Sequence, residues 1–402
     1  MNGPLLGLAL AVQGIAQPPL LVAGDPSARL VWVRSFASGG DDWINDLVPL
    51  GSGQAVAVGF LGRGEAGSDW RALAAYFSED GVVHTVREYG AGRGIDAFWS
   101  AEPRGESLVF AGFTDRIGAG GIDAFVLRAG AAGEVVREYA FGGDGYDRFT
   151  DVAPASGGLV FIGHSQRAGE EKRRLLAVRM TVDDAVAWER VIESPESLSP
   201  LYIEAASDGT FIVAGGIGGD MLVMKLDGEG RELWRRAVGT PEADDVNHGL
   251  ALLPSGNIVV VGYSRSWGAQ GNDILAVTLT SSGEVLRRAM FGGAGDDRPS
   301  LARADAQGRV WIVGSTTSAG AGGSDALVVR LDATGRFEPG ALLIGGPAED
   351  RGTAIRPLTN GSALIAGHST GLGAGGEDAF VARISAPGFA QEPIAFVRRT
   401  IP

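Results

Sequence analysis

The sequence predicts an all-β chain folded as a single seven-bladed β-propeller with four-stranded antiparallel blades, and three observations carry that expectation. A glycine ends an apolar run at seven places, Gly59 (VAVGF), Gly112 (VFAGF), Gly163 (VFIGH), Gly215 (IVAGG), Gly262 (VVVGY), Gly314 (WIVGS) and Gly367 (LIAGH), spaced 47 to 53 residues apart. Each interval holds four short apolar runs divided by Gly- and Asp-containing turns, the spacing of short strands rather than of strand-helix units. Glycine amounts to 64 of 402 residues, more than twice the ~7% typical of soluble domains. With no collagen-like period, that surplus means many tight turns, and a repeat of this length with four strands is the pattern of propeller blades.

The elements of each repeat follow a fixed order. The first strand comes after an Asp-containing turn, as in Asp147 to Pro154, and the second carries the landmark glycine. A Gly-rich loop leads to the third strand, as in Asp123 to Arg128 (DAFVLR), Asp325 to Arg330 (DALVVR) and Asp378 to Arg383 (DAFVAR). A turn such as Asp332 to Arg336 (DATGR) or Asp227 to Arg231 (DGEGR) opens the fourth. The repeats fall near 37–89, 90–140, 141–192, 193–238, 239–290, 291–343 and 344–399, within a propeller spanning 30–402. Two segments, Leu30 to Phe36 and Ile394 to Arg399, both have the pattern of fourth strands. The N-terminal one is expected to complete the last blade, because joining the two ends removes an open sheet edge, and the other is expected to lie outside.

Ahead of the propeller, Leu5 to Ile15 is apolar and is followed by the small Ala16. This is the pattern of a signal peptide over 1–16 with a linker over 17–29, although no Lys or Arg precedes the apolar run. No later segment is long and apolar enough to cross a bilayer as a helix. The expected location is periplasmic or secreted, and the expected state a monomer. A net charge of -14 and a pI near 4.8 oppose sequence-independent binding to nucleic acid or to anionic membranes, which requires a basic surface. With no cysteine there is no disulfide, thiolate metal site or cysteine nucleophile.

The order of a GG pair, an Asp, an apolar strand ending in Gly, a GAGG loop, and a second Asp with its strand resembles the bacterial extracellular β-propeller repeat proteins (SBBP-like repeats). The resemblance covers about Leu30 to Arg399. It implies the fold and an extracytoplasmic setting, and no shared chemistry. Two repeats depart from it: the fourth has a degraded first turn (ESPESLSP, Glu193 to Pro200) and a second loop cut to Gly216 to Gly219, and the third has Arg174 where the others carry Asp. Trp32, Trp188 and Trp234 share a fourth-strand position and are expected to pack between neighbouring blades.

Meander topology places the loop before the first strand and the loop joining the second to the third on one rim. That loop-rich face is the expected binding face. Two sets of aspartates stand there, Asp42, Asp96, Asp147, Asp245, Asp297 and Asp350 before first strands, and Asp69, Asp123, Asp220, Asp273, Asp325 and Asp378 before third strands. Residues repeated in nearly every blade are expected to cap turns. No calcium loop motif is complete, so no cofactor is expected and Ca²⁺ is the only candidate.

Residues that differ between blades are the better functional candidates. Arg148, Arg298 and Arg351 follow equivalent first-strand aspartates, where they would point to the channel mouth and clamp a carboxylate or phosphate. His164 and His368 occupy matching GHS triplets, and Trp267 stands in a third-strand approach loop, placed to stack on a sugar or anchor a partner. Those six residues form the expected ligand-binding set, and no catalytic motif is recognisable. The expected function is a rigid module that binds a ligand, protein or carbohydrate through the loop-rich face. The alternatives are a lyase or hydrolase acting on a small anionic or sugar substrate at the channel mouth, and a structural cell-surface repeat protein.

Overall fold

Seven antiparallel sheets are arranged in sequence order around a central channel in the computed structural model, and their innermost strands touch one another in an unbroken ring. The structure describes residues 11–13, 21–23, 28–51, 53–63, 69–90, 94–239, 246–267, 269–372, 376–386 and 397–401. The signal-peptide segment lies outside them apart from Ala11–Gln13, a short strand pairing with the strand Arg29–Ala37; Asp245 also lies outside. From blade 1 to blade 7 the innermost strands are Asp42–Gly51, Asp96–Arg104, Tyr146–Ala155, Leu198–Ala205, Val246–Leu252, Asp297–Ala304 and Asp350–Pro357. The apolar faces of adjacent blades close on each other, as where Val48 and Val58 of blade 1 meet Phe98, Phe110 and Phe125 of blade 2.

The landmark glycines have a steric cause. A Cβ on Gly59 would lie 1.9 Å from the carbonyl oxygen of Trp43, on Gly112 1.9 Å from that of Ala97, on Gly163 1.8 Å from that of Arg148, on Gly314 2.0 Å from that of Arg298, and on Gly367 2.1 Å from that of Arg351. At this level every innermost strand carries a β-bulge: the pairing skips Asn45, Trp99, Thr150, Leu201, His248, Ser300 and Thr353, one residue per blade. A bulge bends its strand and re-aims the extra residue. The missing side chain makes room for the bend.

The repeated aspartates fold back on the turns before them. Asp147 accepts from Gly143 N (2.8 Å), Asp297 from Gly293 N (2.7 Å), Asp350 from Gly346 N (2.8 Å) and Asp325 from Ala321 N (3.0 Å). Gly142, at φ 134, takes a backbone conformation that L side chains avoid, and a Cβ there would meet the Asp147 carboxylate at 2.3 Å. In blade 3 Arg174 replaces this device, holding Glu170 and, at 3.1 Å, Glu193 through side-chain bonds. The shortened loop of blade 4 is a tight hairpin in which Gly218 (φ 56) and Gly219 (φ 97) supply the positive φ pair that such turns need.

The fourth-strand tryptophans span the blade boundaries. The indole N–H of Trp32 donates to Glu79 O in blade 1 (2.8 Å), and that of Trp188 to Gly228 O in blade 4 (3.2 Å). Their rings occupy the space a side chain would take at Gly81 and Gly230. The strand Arg29–Ala37 pairs with Asp378–Ser385 as the fourth strand of blade 7 and so closes the ring. Val397–Ile401 adds a fifth strand outside blade 5.

Two alanine substitutions separate the close approach from ordinary backbone strain. Gly51 has open space around it but φ 78, so Gly51→Ala costs about 1–2 kcal/mol. Gly112→Ala drives a methyl group into a carbonyl and costs about 3 kcal/mol or more. Equal losses for the two in urea unfolding would remove the steric account of the landmark glycine.

Candidate functional site at the channel mouth

The seven bulge residues do not vanish into the core; all of them line one cavity of 310 Å³ at the loop-rich end of the channel. Trp43, Arg148 and Arg351, at the starts of the innermost strands, form its outer wall, and Asp46, Ser100, Asp151, Tyr202, Leu301 and Arg303 lie one step deeper. Each blade thus contributes a side chain from the same bulge position, and the differences among those side chains give the cavity much of its chemistry.

The outer wall is cationic. Arg148 lies over the Trp99 ring at 4.9 Å, and its Nε has no hydrogen-bond partner among the described residues. Burial pushes its pKa below the ordinary guanidinium value, a sign of incomplete compensation rather than of deprotonation. Among the described residues neither Arg148 nor Arg351 forms an ion pair with a carboxylate. Arg298 differs: it donates to Asp296 Oδ2 (2.7 Å) and lies over the Tyr263 ring at 5.2 Å, outside the cavity lining. Of the three arginines singled out in the sequence, the fold brings two together at the mouth.

The histidines take different places from those expected. His164 is fully buried and stacked on Tyr146 (5.4 Å), and His368 is stacked on Trp43 (4.5 Å) with its Nδ1 3.3 Å from Glu377 Oε2. Neither lines the cavity. They stand at the two ends of an aromatic arc running His368, Trp43, Phe60, Trp70, Phe113, Tyr146 and His164, with successive ring centroids 4.4 to 6.3 Å apart. The arc crosses blades 7, 1, 2 and 3 under the loop-rich rim and holds Trp43 in place. Trp267, at φ 54 and about a third exposed, also lies outside the lining.

His248 is the histidine that faces the cavity. It packs against Tyr263 (5.5 Å), and burial, then the charges of Arg351 and Arg298, lower its pKa to about 4. Its signal in the sequence was its register: it is the residue skipped opposite landmark Gly262, as Trp99 is opposite Gly112.

The floor is anionic. Ser100 Oγ lies 3.1 Å from Asp46 Oδ2 and 2.8 Å from Asp151 Oδ1, a single hydroxyl proton between two carboxylates. Burial raises Asp151 to about 6, against the opposing pull of Arg303. Below, Arg356 Nη2 lies 3.7 Å from Asp46 Oδ1 and Arg303 Nη1 3.8 Å from Glu204 Oε1, while burial raises Glu102 to about 7. A 210 Å³ space at this level and a 700 Å³ opening on the opposite face share these side chains, and Arg303 borders all three spaces. The channel therefore narrows at a layer of charge. Among the described residues no three His, Asp or Glu side chains gather as a metal site.

The imidazoles supply a pH test. His248 and His368 both have folded pKa values near 4, and His164 near 2, below the ordinary 6.5. Their contribution to stability is complete above pH 6.5 and drains away as pH falls towards those values, because the unfolded chain binds the protons first. NMR titration should place the His248 and His368 midpoints at about 4; midpoints near 6.5 would show that these rings are not held neutral by burial.

No protein-family profile matches the chain, and no curated protein sequence matches it. Solved structures do, at low identity. Sqt1 from Chaetomium thermophilum aligns with TM-score 0.50 and 14% identity, over 92% of this chain and 90% of its own. A putative 6-phosphogluconolactonase from Bacteroides fragilis aligns with TM-score 0.48 and 14% identity over 79% and 92%. The gluconolactonase XC5397 from Xanthomonas campestris aligns with TM-score 0.43 and 16% identity over 92% and 99%. At such identities the likeness is one of fold, and propellers host many unrelated activities.

Proposed function

We propose that the protein is a rigid binding module that takes a small organic anion into the loop-rich mouth of its central channel. The observation that carries this reading is the pair Arg148 and Arg351, held at the rim of a concave, partly aromatic cavity with no carboxylate ion pair among the described residues. Guanidinium groups in such a setting favour carboxylate or phosphate oxygens, with which they form charge-assisted paired hydrogen bonds. The bulged strands and the aromatic arc preorganise the site, which limits the ordering cost of binding.

Export to the periplasm or the medium belongs to the same proposal, motivated by the apolar Leu5 to Ile15 run and the lack of cysteine. N-terminal sequencing of the protein recovered from cell fractions tests it: a chain starting after Ala16 is expected, and an intact Met1 in the cytoplasm would overturn it.

One observation favours turnover as a second reading. His248 is a neutral imidazole in the cavity wall above its pKa of about 4, available to accept a proton in lyase or hydrolase chemistry. His164 and His368 are not placed to touch a cavity ligand. Under this second reading His248→Ala abolishes turnover while binding persists.

Calorimetric titration with cyclohexanecarboxylate tests the binding proposal. Arg148→Ala and Arg351→Ala should each weaken binding by about 10- to 100-fold, with affinity falling as salt is raised. Unchanged affinity in both folded variants would remove the anion site from the channel mouth.

A further inference from the structure

Three polar side chains around the middle of the cavity share an orientation of hydrogen bonding. Asn45 Nδ2 donates to Phe98 O (2.8 Å), Thr353 Oγ1 donates to Ile44 O, and Tyr202 OH donates to Ser300 O (2.8 Å). Each spends donor capacity on a backbone carbonyl of another strand. What remains towards the cavity is largely acceptor capacity, in the amide oxygen of Asn45, the hydroxyl oxygen of Thr353 and the phenol oxygen of Tyr202, beside the second amide N–H of Asn45 and the indole N–H of Trp99, which has no hydrogen-bond partner among the described residues. Below them stand the carboxylates of Asp46 and Asp151, which are acceptors when ionised. These groups come from blades 1, 7, 4 and 3, so they surround the cavity instead of meeting at one point.

A bare organic acid satisfies only the rim of such a site. It leaves the wall oxygens of Asn45, Thr353 and Tyr202 without donors from the ligand, and buried polar groups left unmatched weigh against binding. The floor carboxylates already accept from the Ser100 hydroxyl and from the backbone N–H groups of Leu47, Val152 and Ile203, with further lone pairs to offer. A single ammonium group would serve one side of the ring. Several hydroxyls on a rigid ring serve acceptors on several sides, and a cavity of 310 Å³ suits a single sugar-sized occupant.

Resting on the anion-binding function above, we propose that the occupant is a polyhydroxylated acid of one sugar ring, a uronate in kind. Its carboxylate lies between Arg148 and Arg351 at the rim, and its hydroxyls donate inward to Asn45, Tyr202, Thr353, Asp46 and Asp151. Trp43 supplies apolar contact for the ring carbons from the cavity wall.

The test is calorimetric titration of the full chain at one pH and salt concentration with four probes: D-glucuronate, D-glucose, cyclohexanecarboxylate and 6-aminohexanoate. D-Glucuronate should bind at least about tenfold tighter than each of the other three. Tyr202→Phe and Thr353→Val each remove an acceptor, and each should weaken D-glucuronate by about fivefold while leaving cyclohexanecarboxylate unchanged. Circular dichroism melts identify a variant that fails to fold, in which case the four-probe comparison on the wild-type chain decides. If cyclohexanecarboxylate binds as tightly as D-glucuronate and still depends on Arg148 and Arg351, the uronate is overturned and the anion site stands. Tighter binding of 6-aminohexanoate overturns it in favour of a zwitterion. If no acid binds at millimolar concentration, the anion site fails and the uronate with it.

Discussion

The close contact between a landmark glycine and a first-strand carbonyl is the constraint on which the rest of the molecule depends. Where that contact forms, the innermost strand bends, one residue leaves the ladder, and its side chain enters the channel. The bulge recurs in all seven blades, with the glycine contact described in five of them, and builds a ring of seven side chains at one depth. Packing between blades supplies most of the stability, since the strands on either side of the bulge are lined with buried apolar residues. The bulge is therefore a local departure from regular pairing, carried by a core that does not need that residue for its own cohesion. For that reason the position can hold Trp, His, Thr, Leu, Ser or Asn without altering the fold.

Charge is arranged in depth along the channel. Arginines stand at the mouth, neutral hydrogen-bonding groups in the wall and carboxylates on the floor, with Arg303 and Arg356 beneath. Burying so many ionisable groups is unfavourable unless they compensate one another. The deeper layer does this in part: Arg356 faces Asp46, and Arg303 faces Glu204. The rim does not compensate itself among the described residues. The asymmetry has a direction, since an anion entering from the loop-rich side meets positive charge first and negative charge only at full depth.

The architecture was legible in the sequence because it is written seven times. Landmark glycines, turn aspartates and short apolar runs each report local rules of backbone geometry, and repetition made them unambiguous. The cavity was legible only in part. Arg148 and Arg351 reach it because they immediately precede the bent segment, whereas Arg298, at the matching position, is taken by its neighbour Asp296. His164 and His368 follow the landmark glycine on the second strand, one layer out, where Tyr146 and Trp43 cover them. The ring of bulge residues was missed because a bulge shifts strand alternation by one residue, and simple counting along the strand then assigns side chains to the wrong face. The bulge leaves no local motif of its own in the first strand; its trace is the glycine on the strand beside it.

The clasp in blade 7 makes closure of the ring depend on segments far apart in the sequence. Trp32 pairs with Arg383, so one sheet joins residues that lie on either side of the six other blades in the sequence. Blades 1 to 6 each hold four consecutive strands, whose pairing does not need the clasp. Until the clasp engages, they make an open arc with an unpaired edge on the last sheet and no opposite wall to the channel mouth. Trp43, whose indole N–H reaches Glu377 across the seam between blades 7 and 1 at 2.9 Å, and Arg351 stand on its two sides. Most strand pairing therefore needs only neighbours in sequence, whereas the channel mouth is complete only when that seam is closed.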